Sequence, residues 1–411
     1  MTTQRPITLA IYEPLDSRKG RNQALKPLSQ FVFASGQCDL QLTTTLTEGF
    51  SACKVGFLRQ ELLRYAELGR VPIPLRIPDL PQSVQWWSHV VVLSGGATIF
   101  EGQVYEMDRD GGYINGLVIG GYGTADALSE SPYLTNDLTL ATSGAILREV
   151  LLGQTNWVRP GDGTQFRDPG VAHQRSEFNG KYPVDLVHQF VQEGQVGTAW
   201  MFQVWENRIA WFRPQLSGTR PDYVVPKDER VTQWRENILK TYSDVWLQYQ
   251  DITDGNADAI YKATRSNYYQ TYKRTRTWFV TAGQLSPSAA RSWAESAIEF
   301  AQLPDVSGTI TRQRHDPLGT LTAWDGLETV SGQSRAPEEV RAGESAEIAG
   351  RLFVIQRTEY DSIQGTFTAQ VGTVIPDMTE LLTAMGQDLK SLKRGINPFI
   401  ATRDSVIPYV S

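Results

Sequence analysis

Ile99-Phe-Glu-Gly-Gln-Val-Tyr-Glu-Met-Asp108, a polar turn, and then Tyr113-Ile-Asn-Gly-Leu-Val118 together decide the fold class. The turn holds Asp110-Gly111-Gly112, whose central residues tolerate positive φ, so the stretch reads as one long β-hairpin. It has an echo far down the chain. Leu352-Phe-Val-Ile-Gln-Arg-Thr-Glu-Tyr-Asp361 is followed by Gly365 and Thr366-Phe-Thr-Ala-Gln-Val371. In the last of these, Phe367, Ala369 and Val371 alternate with polar residues, the period of a half-buried strand. Matching Ile99 with Leu352 and Tyr113 with Thr366 gives an internal pseudo-repeat, the mark of a duplicated hairpin unit.

Outward from the first hairpin, residues 31–125 read as β. Short strands are expected at Gln37–Thr44, Cys53–Arg59, His89–Leu93, Ile99–Met107 and Tyr113–Ile119, with turns such as Gly95-Gly96 between them. Evenly spaced short strands predict a barrel or sandwich. Around the second hairpin, Ser345–Ile348, Leu352–Tyr360 and Thr366–Gly372 read the same way. Between them, residues 126–300 change character. A helix opens at Thr142/Ser143 with Ile146, Leu147, Val150 and Leu151 on one face and stops at Gly153. A second is expected at 183–193 behind Pro183, an aromatic hairpin at 199–212, and a third helix at Ser286-Pro287 with Ala290, Trp293, Ala294, Ala297, Ile298 and Ala301 as its buried stripe. Residues 377–394 read as a helix in which Met378, Leu382, Met385, Leu389 and Leu392 follow heptad spacing. That stripe suits folding back on its own domain or packing about a symmetry axis. The irregular tail Gly395–Ser411 carries Pro398, Phe399, Pro408 and Tyr409 and is a candidate docking arm.

Composition narrows the function. The 411 residues are 40% hydrophobic and 20% charged, enough for several cores. A net charge of −6 argues against a sequence-reading nucleic-acid binder. No apolar run reaches the roughly 18 residues of a membrane span, and the N-terminus shows no signal-peptide core. Cys38 and Cys53 form no disulfide framework and are expected as two reduced thiols.

Catalytic signatures are missing from the pattern. Gly49-Phe-Ser-Ala-Cys53 lacks the last glycine of a nucleophile elbow, and Gly161-Asp-Gly-Thr-Gln-Phe166 lacks the third glycine of a dinucleotide turn. His89, His173, His188 and His315 form no zinc-binding spacing, so no metal, cofactor or catalytic residue is expected. Asp251, Asp254, Asn256 and Asp258 surround Gly255, which suits a turn better than a Ca²⁺ loop. Lys262, Arg265, Lys273, Arg274 and Arg276 interleave with Tyr261, Tyr268, Tyr269 and Tyr272. The mixture suits single-stranded nucleic acid, but better suits a strand surface at a subunit contact.

Several short patterns resemble a known family. Phe100-Glu101-Gly102, a turn, and Gly120-Gly121-Tyr122 are followed by Ser288–Leu303, Arg335-Ala336, Val340-Arg341-Ala342-Gly343-Glu344 and Phe353–Tyr360. In this order they resemble the baseplate hub proteins of long-tailed phages and related contractile injection systems, over most of residues 30–390. The segment 154–182 has no counterpart in that pattern. The resemblance implies a mainly β chain with α+β insertions: an N-terminal arm (1–30), a first tube-like β-barrel (31–125), inserted mixed α/β domains (126–300), a second tube-like barrel (301–376) and a C-terminal helix and docking tail (377–411). It further implies a homotrimeric, pseudo-six-fold ring in the virion, assembled in the host cytoplasm. That ring joins the six-fold tail tube or distal tail protein to a three-fold spike or fibre, and tape-measure protein and DNA pass through its channel. The alternatives are a receptor- or glycan-binding tail protein and a tail-associated cell-wall hydrolase.

Overall fold

The computed structural model describes residues 6–15, 25–33, 38–57, 84–110, 113–153, 157–170, 172–194, 200–215, 221–225, 231–237, 241–251, 253–255, 257–285, parts of 287–298, 305–313, 327–348 save 330 and 333, and 350–372 save 363. The chain is mainly β. Its first part supplies seven strands: β1 (Ile7–Pro14), β2 (Pro27–Phe33), β3 (Cys38–Thr45), β4 (Gly49–Phe57), β5 (Ser88–Ser94), β6 (Ala97–Asp110) and β7 (Tyr113–Gly121). Residues 1–30, expected as an arm, thus supply β1 and most of β2. β1 lies between β2 and β5 with Leu9 and Ile11 sealed in the core.

The middle of the chain builds two further units. The first holds β8 (Leu140–Thr142), helix α1 (Ser143–Gly153), β9 (Arg159–Pro160), β10 (Ala172–Gln174), helix α2 (Pro183–Gly194), β11 (Trp200–Val204) and β12 (Ile209–Pro214). α1 buries the expected Ile146, Leu147, Val150 and Leu151, α2 buries Leu186, Val187 and Phe190, and both pack with Phe202 and Phe212 in one core. Next come β13 (Tyr223–Val225) and β14 (Val231–Asn237), which leave the expected insertion and join the main sheet. The second unit holds β15 (Asp244–Asp251), β16 (Ala257–Thr264), helix α3 (Ser266–Tyr272) and β17 (Thr277–Leu285). Its sheet runs β16-β15-β17 and is covered on one face by helical residues within 287–298, of which Ala290, Ala294, Ala297 and Ile298 are buried.

The last part contributes β18 (Asp305–Gln313), β19 (Leu327–Glu328), β20 (Ser334–Arg335), β21 (Ser345–Ile348), β22 (Arg351–Asp361) and β23 (Thr366–Gly372). The main sheet follows the path β14-β18-β23-β22-β3-β4-β7-β6-β5-β1-β2. The two β regions were expected as separate barrels. Among the described residues they instead form one open sheet, because β22 pairs with β3 from Arg357↔Thr45 to Asp361↔Gln41. One core serves both, with Leu42, Phe50 and Phe100 beside Phe353, Ile355 and Phe367.

The pseudo-repeat is present in three dimensions. In β6–β7 the ladder slips at Tyr105, five residues before Asp110, which pairs with Tyr113; a second slip, at Asn115 on β7, has no counterpart in β22–β23. In β22–β23 it slips at Gln356, five residues before Asp361, which pairs with Thr366. Two residues before each bulge, the partner strand presents a glycine: Gly120 opposite Gln103 and Gly372 opposite Val354. A side chain on Gly120 would run into the Tyr105 ring, and one on Gly372 into the Gln356 amide. Each bulged side chain therefore folds over a bare stretch of the neighbouring strand. The bulges align Asp110 with Asp361, which corrects the match read from sequence by two residues on the first strand. A two-residue slip keeps every side chain on its own face, so the pattern alone does not detect it.

Candidate assembly site

The turn between β11 and β12 is where the two larger cores meet. Asn207 and Arg208 adopt left-handed φ values of 57° and 59° there, an uncommon conformation for side-chain-bearing residues. It aims their backbone at Glu101 on β6, whose Oε2 accepts the Asn207 N–H at 2.5 Å. Glu101 Oε1 lies 3.4 Å from His89 Nε2 and 3.9 Å from Arg208 Nε. His89 Nδ1 is 2.7 Å from the hydroxyl of Tyr122, and the Tyr12 ring lies tilted against the imidazole with centroids 5.5 Å apart. His89 is 0% exposed and Glu101 5%.

Burial sets the protonation of this cluster. It pushes the His89 imidazole down to about 3, helped by the Arg208 charge. It pushes the Glu101 carboxyl up to about 7, against the pull of Arg208 and the Asn207 N–H. A displaced acid beside a histidine is the usual sign of catalysis when it lines a cleft. Here both groups are sealed from water and every partner is internal, so the cluster holds the fold together.

Arg341 clamps the same turn from the opposite side. Its guanidinium makes two bonds to Glu206, one of them at 2.9 Å, and reaches the Thr98 carbonyl at 3.3 Å. It also lies 5.0 Å over Trp205 and 5.5 Å over Phe50, which meet edge to face at 4.9 Å. The residues after it continue the stitching. Ala342 receives Gln203 Nε2 on its carbonyl at 2.9 Å and donates its N–H to Thr44 Oγ1 at 2.9 Å. Glu344 accepts from the Tyr223 hydroxyl and from Arg335, each at 2.6 Å, and burial lifts its carboxyl above the usual range despite the Arg335 charge. The short pattern 335–344 is thus the seam that ties β3, β6, β11–β12 and β13 together.

Two solved structures match this architecture over nearly the whole chain. The 43 kDa tail protein of prophage MuSo2 from Shewanella oneidensis has a TM-score of 0.50 at 11% identity, covering 90% of this chain and 98% of its own. The prophage tail protein gp18 from Listeria monocytogenes EGD-e has a TM-score of 0.51 at 10% identity, covering 93% and 99%. This chain has the fold of phage tail proteins. No protein-family profile and no curated sequence matches it.

Within the tail-protein fold the other sequence candidates fall as follows. Met378, Leu382, Met385, Leu389, Leu392, Pro398, Phe399 and Tyr409 lie outside the described residues. Cys53 is buried opposite Leu42, four positions along β3 from Cys38, about 13 Å at strand rise, too far for a disulfide. Asp251 accepts from the N–H and hydroxyl of Thr253, at 2.7 and 2.6 Å, as an ordinary turn. Among the described residues no cluster of three or more His, Cys, Asp or Glu suits a metal. None of the described helices is long and apolar enough to cross a membrane. The 159–166 stretch, which sequence alone did not place, docks β9 against β12, with Asp162 closing its loop onto Thr164. The buried His89–Glu101 cluster was not legible in the sequence. Its only signal is a histidine opening an apolar strand.

Proposed function

We propose that the chain is a structural subunit of the tail's baseplate hub. The supporting observation is the duplicated hairpin, with the same bulge facing the same glycine in both copies. One chain brings two equivalent units, so three chains about one axis bring six. Such a ring matches a six-fold tail tube on one side and a three-fold spike or fibre on the other. In this reading the ring forms part of the channel for tape-measure protein and DNA, and its negative charge lets DNA slide without adhering. Met378, Leu382, Met385, Leu389 and Leu392 pack about the axis, and the tail with Pro398, Phe399 and Tyr409 docks on a neighbour. The chain does no chemistry of its own.

Sedimentation of the purified full-length chain tests this reading. A three-chain particle without cell-wall lysis on a zymogram is expected. A chain that stays monomeric at every concentration, or one that clears cell walls, overturns it.

A further inference from the structure

We infer that the ring closes head to tail, an acidic aromatic surface around Trp86 and Trp87 of one copy receiving the basic turn Lys273-Arg274 of the next. The inference rests on the ring assembly proposed above.

The receiving surface is built to display its rings. Trp86 and Trp87 are 56% and 52% exposed on the turn leading into β5. Trp87 has φ 65°, a conformation glycine takes freely and a bulky side chain does not. Its N–H bonds to the Val104 carbonyl at 3.1 Å, and its ring meets Tyr105 edge-on at 5.3 Å. Tyr105 is the bulged residue held over Gly120, so the platform is fixed from below. Asp126 and Glu130 stand exposed beside it, and with burial their charges raise the Tyr105 phenol. Neither carboxylate has a cationic partner among the described residues; Glu130 accepts only the Trp157 indole N–H at 2.7 Å.

The inserted surface is its electrostatic complement. Lys273 caps the C-terminus of α3 with a left-handed φ of 56°, its N–H bonding the Tyr269 carbonyl at 2.8 Å. Lys273 and Arg274 are exposed, Tyr269 beside them is 54% exposed, and among the described residues neither cation meets a carboxylate. Four described non-glycine residues have positive φ: Asn207 and Arg208 in the turn that reaches Glu101, Trp87 before β5, and Lys273 at the end of α3. The chain already sets cations on indole rings, with Lys262 4.1 Å over Trp246 and Arg213 4.4 Å over Trp211. The two surfaces sit on different cores of one chain, so their contact is heterologous and propagates around a ring.

Sedimentation equilibrium of charge-reversed full-length chains tests the contact. Asp126→Lys with Glu130→Lys, and separately Lys273→Glu with Arg274→Glu, each weaken association by about tenfold or more, and all four changes together restore it. Trp87→Asn, which suits the backbone better, keeps the melting temperature and weakens association. A ring of wild-type chains that any of these variants forms equally well, or a fourfold variant without recovery, overturns this contact alone. A wild-type chain that never associates overturns the ring and the contact together.

Discussion

His89 and Glu101 pull the stability of the fold in opposite directions as pH changes. The Glu101 carboxyl titrates near 7 in the fold and near its ordinary value when unfolded, so the folded state binds more protons between about pH 4.5 and 7. Its contribution therefore falls as pH rises through that window, by on the order of 3 kcal/mol in full. His89 titrates near 3 in the fold, so the unfolded state binds more protons between about pH 3 and 6.5, and its contribution falls as pH drops. The two slopes oppose each other between about pH 4.5 and 6.5. Glu101→Gln keeps an acceptor for Asn207 and exposes the histidine slope: the variant's melting temperature declines steadily below pH 6.5. His89→Gln exposes the other slope, and its melting temperature climbs as pH falls from 7 to 4.5. Parallel profiles in both variants would refute the assignment. Arg341 tests the turn from its other side. Arg341→Lys keeps the charge but loses the paired bonds to Glu206 and the stacking on Trp205, and is expected to cost about 1–3 kcal/mol in denaturant unfolding.

The paired hairpins make an asymmetric prediction about single methyl groups. Gly120→Ala meets the Tyr105 ring, which Trp87 and the Gln103 amide hold in place, so it is expected to cost about 1–3 kcal/mol. Gly372→Ala meets the free end of the exposed Gln356 side chain, which swings away, so the same change there costs under about 1 kcal/mol. Tyr105→Ala combined with Gly120→Ala recovers part of the first loss. Equal losses at both glycines, measured by denaturant unfolding, would mean that the bulges do not rest on them. Elements of this kind were legible where local pattern and burial agree. Ser345–Ile348 and Thr366–Gly372 stand as the sequence reading placed them, and α1 buries its expected stripe. β1 and β14 were missed because nothing local calls for them. Ile7–Pro14 becomes a strand through pairing with β2 and β5, and Val231–Asn237 through pairing with β18. The seam between β3 and β22 joins residues such as Thr44 and Thr358, 314 positions apart, a distance no periodicity spans.

At the scale of the molecule, the last described residue of the three cores is Val371. β23 completes the sheet by pairing with both β18 and β22, and the seam at 335–344 locks the β11–β12 unit and β13 to it. The heptad stripe of Met378, Leu382, Met385, Leu389 and Leu392 lies outside the described residues, and the assembly proposed above packs it about the axis. That proposal makes folding and assembly separable along the chain. A stripe used to fold back would take stability with it when removed, whereas a stripe used about an axis would take only mass. Truncation after residue 376 is expected to leave the thermal unfolding transition of the chain in place while lowering its sedimenting mass. A truncated chain that loses the transition would make the stripe a fourth core. One that keeps both its transition and its full mass would leave assembly to the sheet and to the charged surfaces at Trp87 and Lys273.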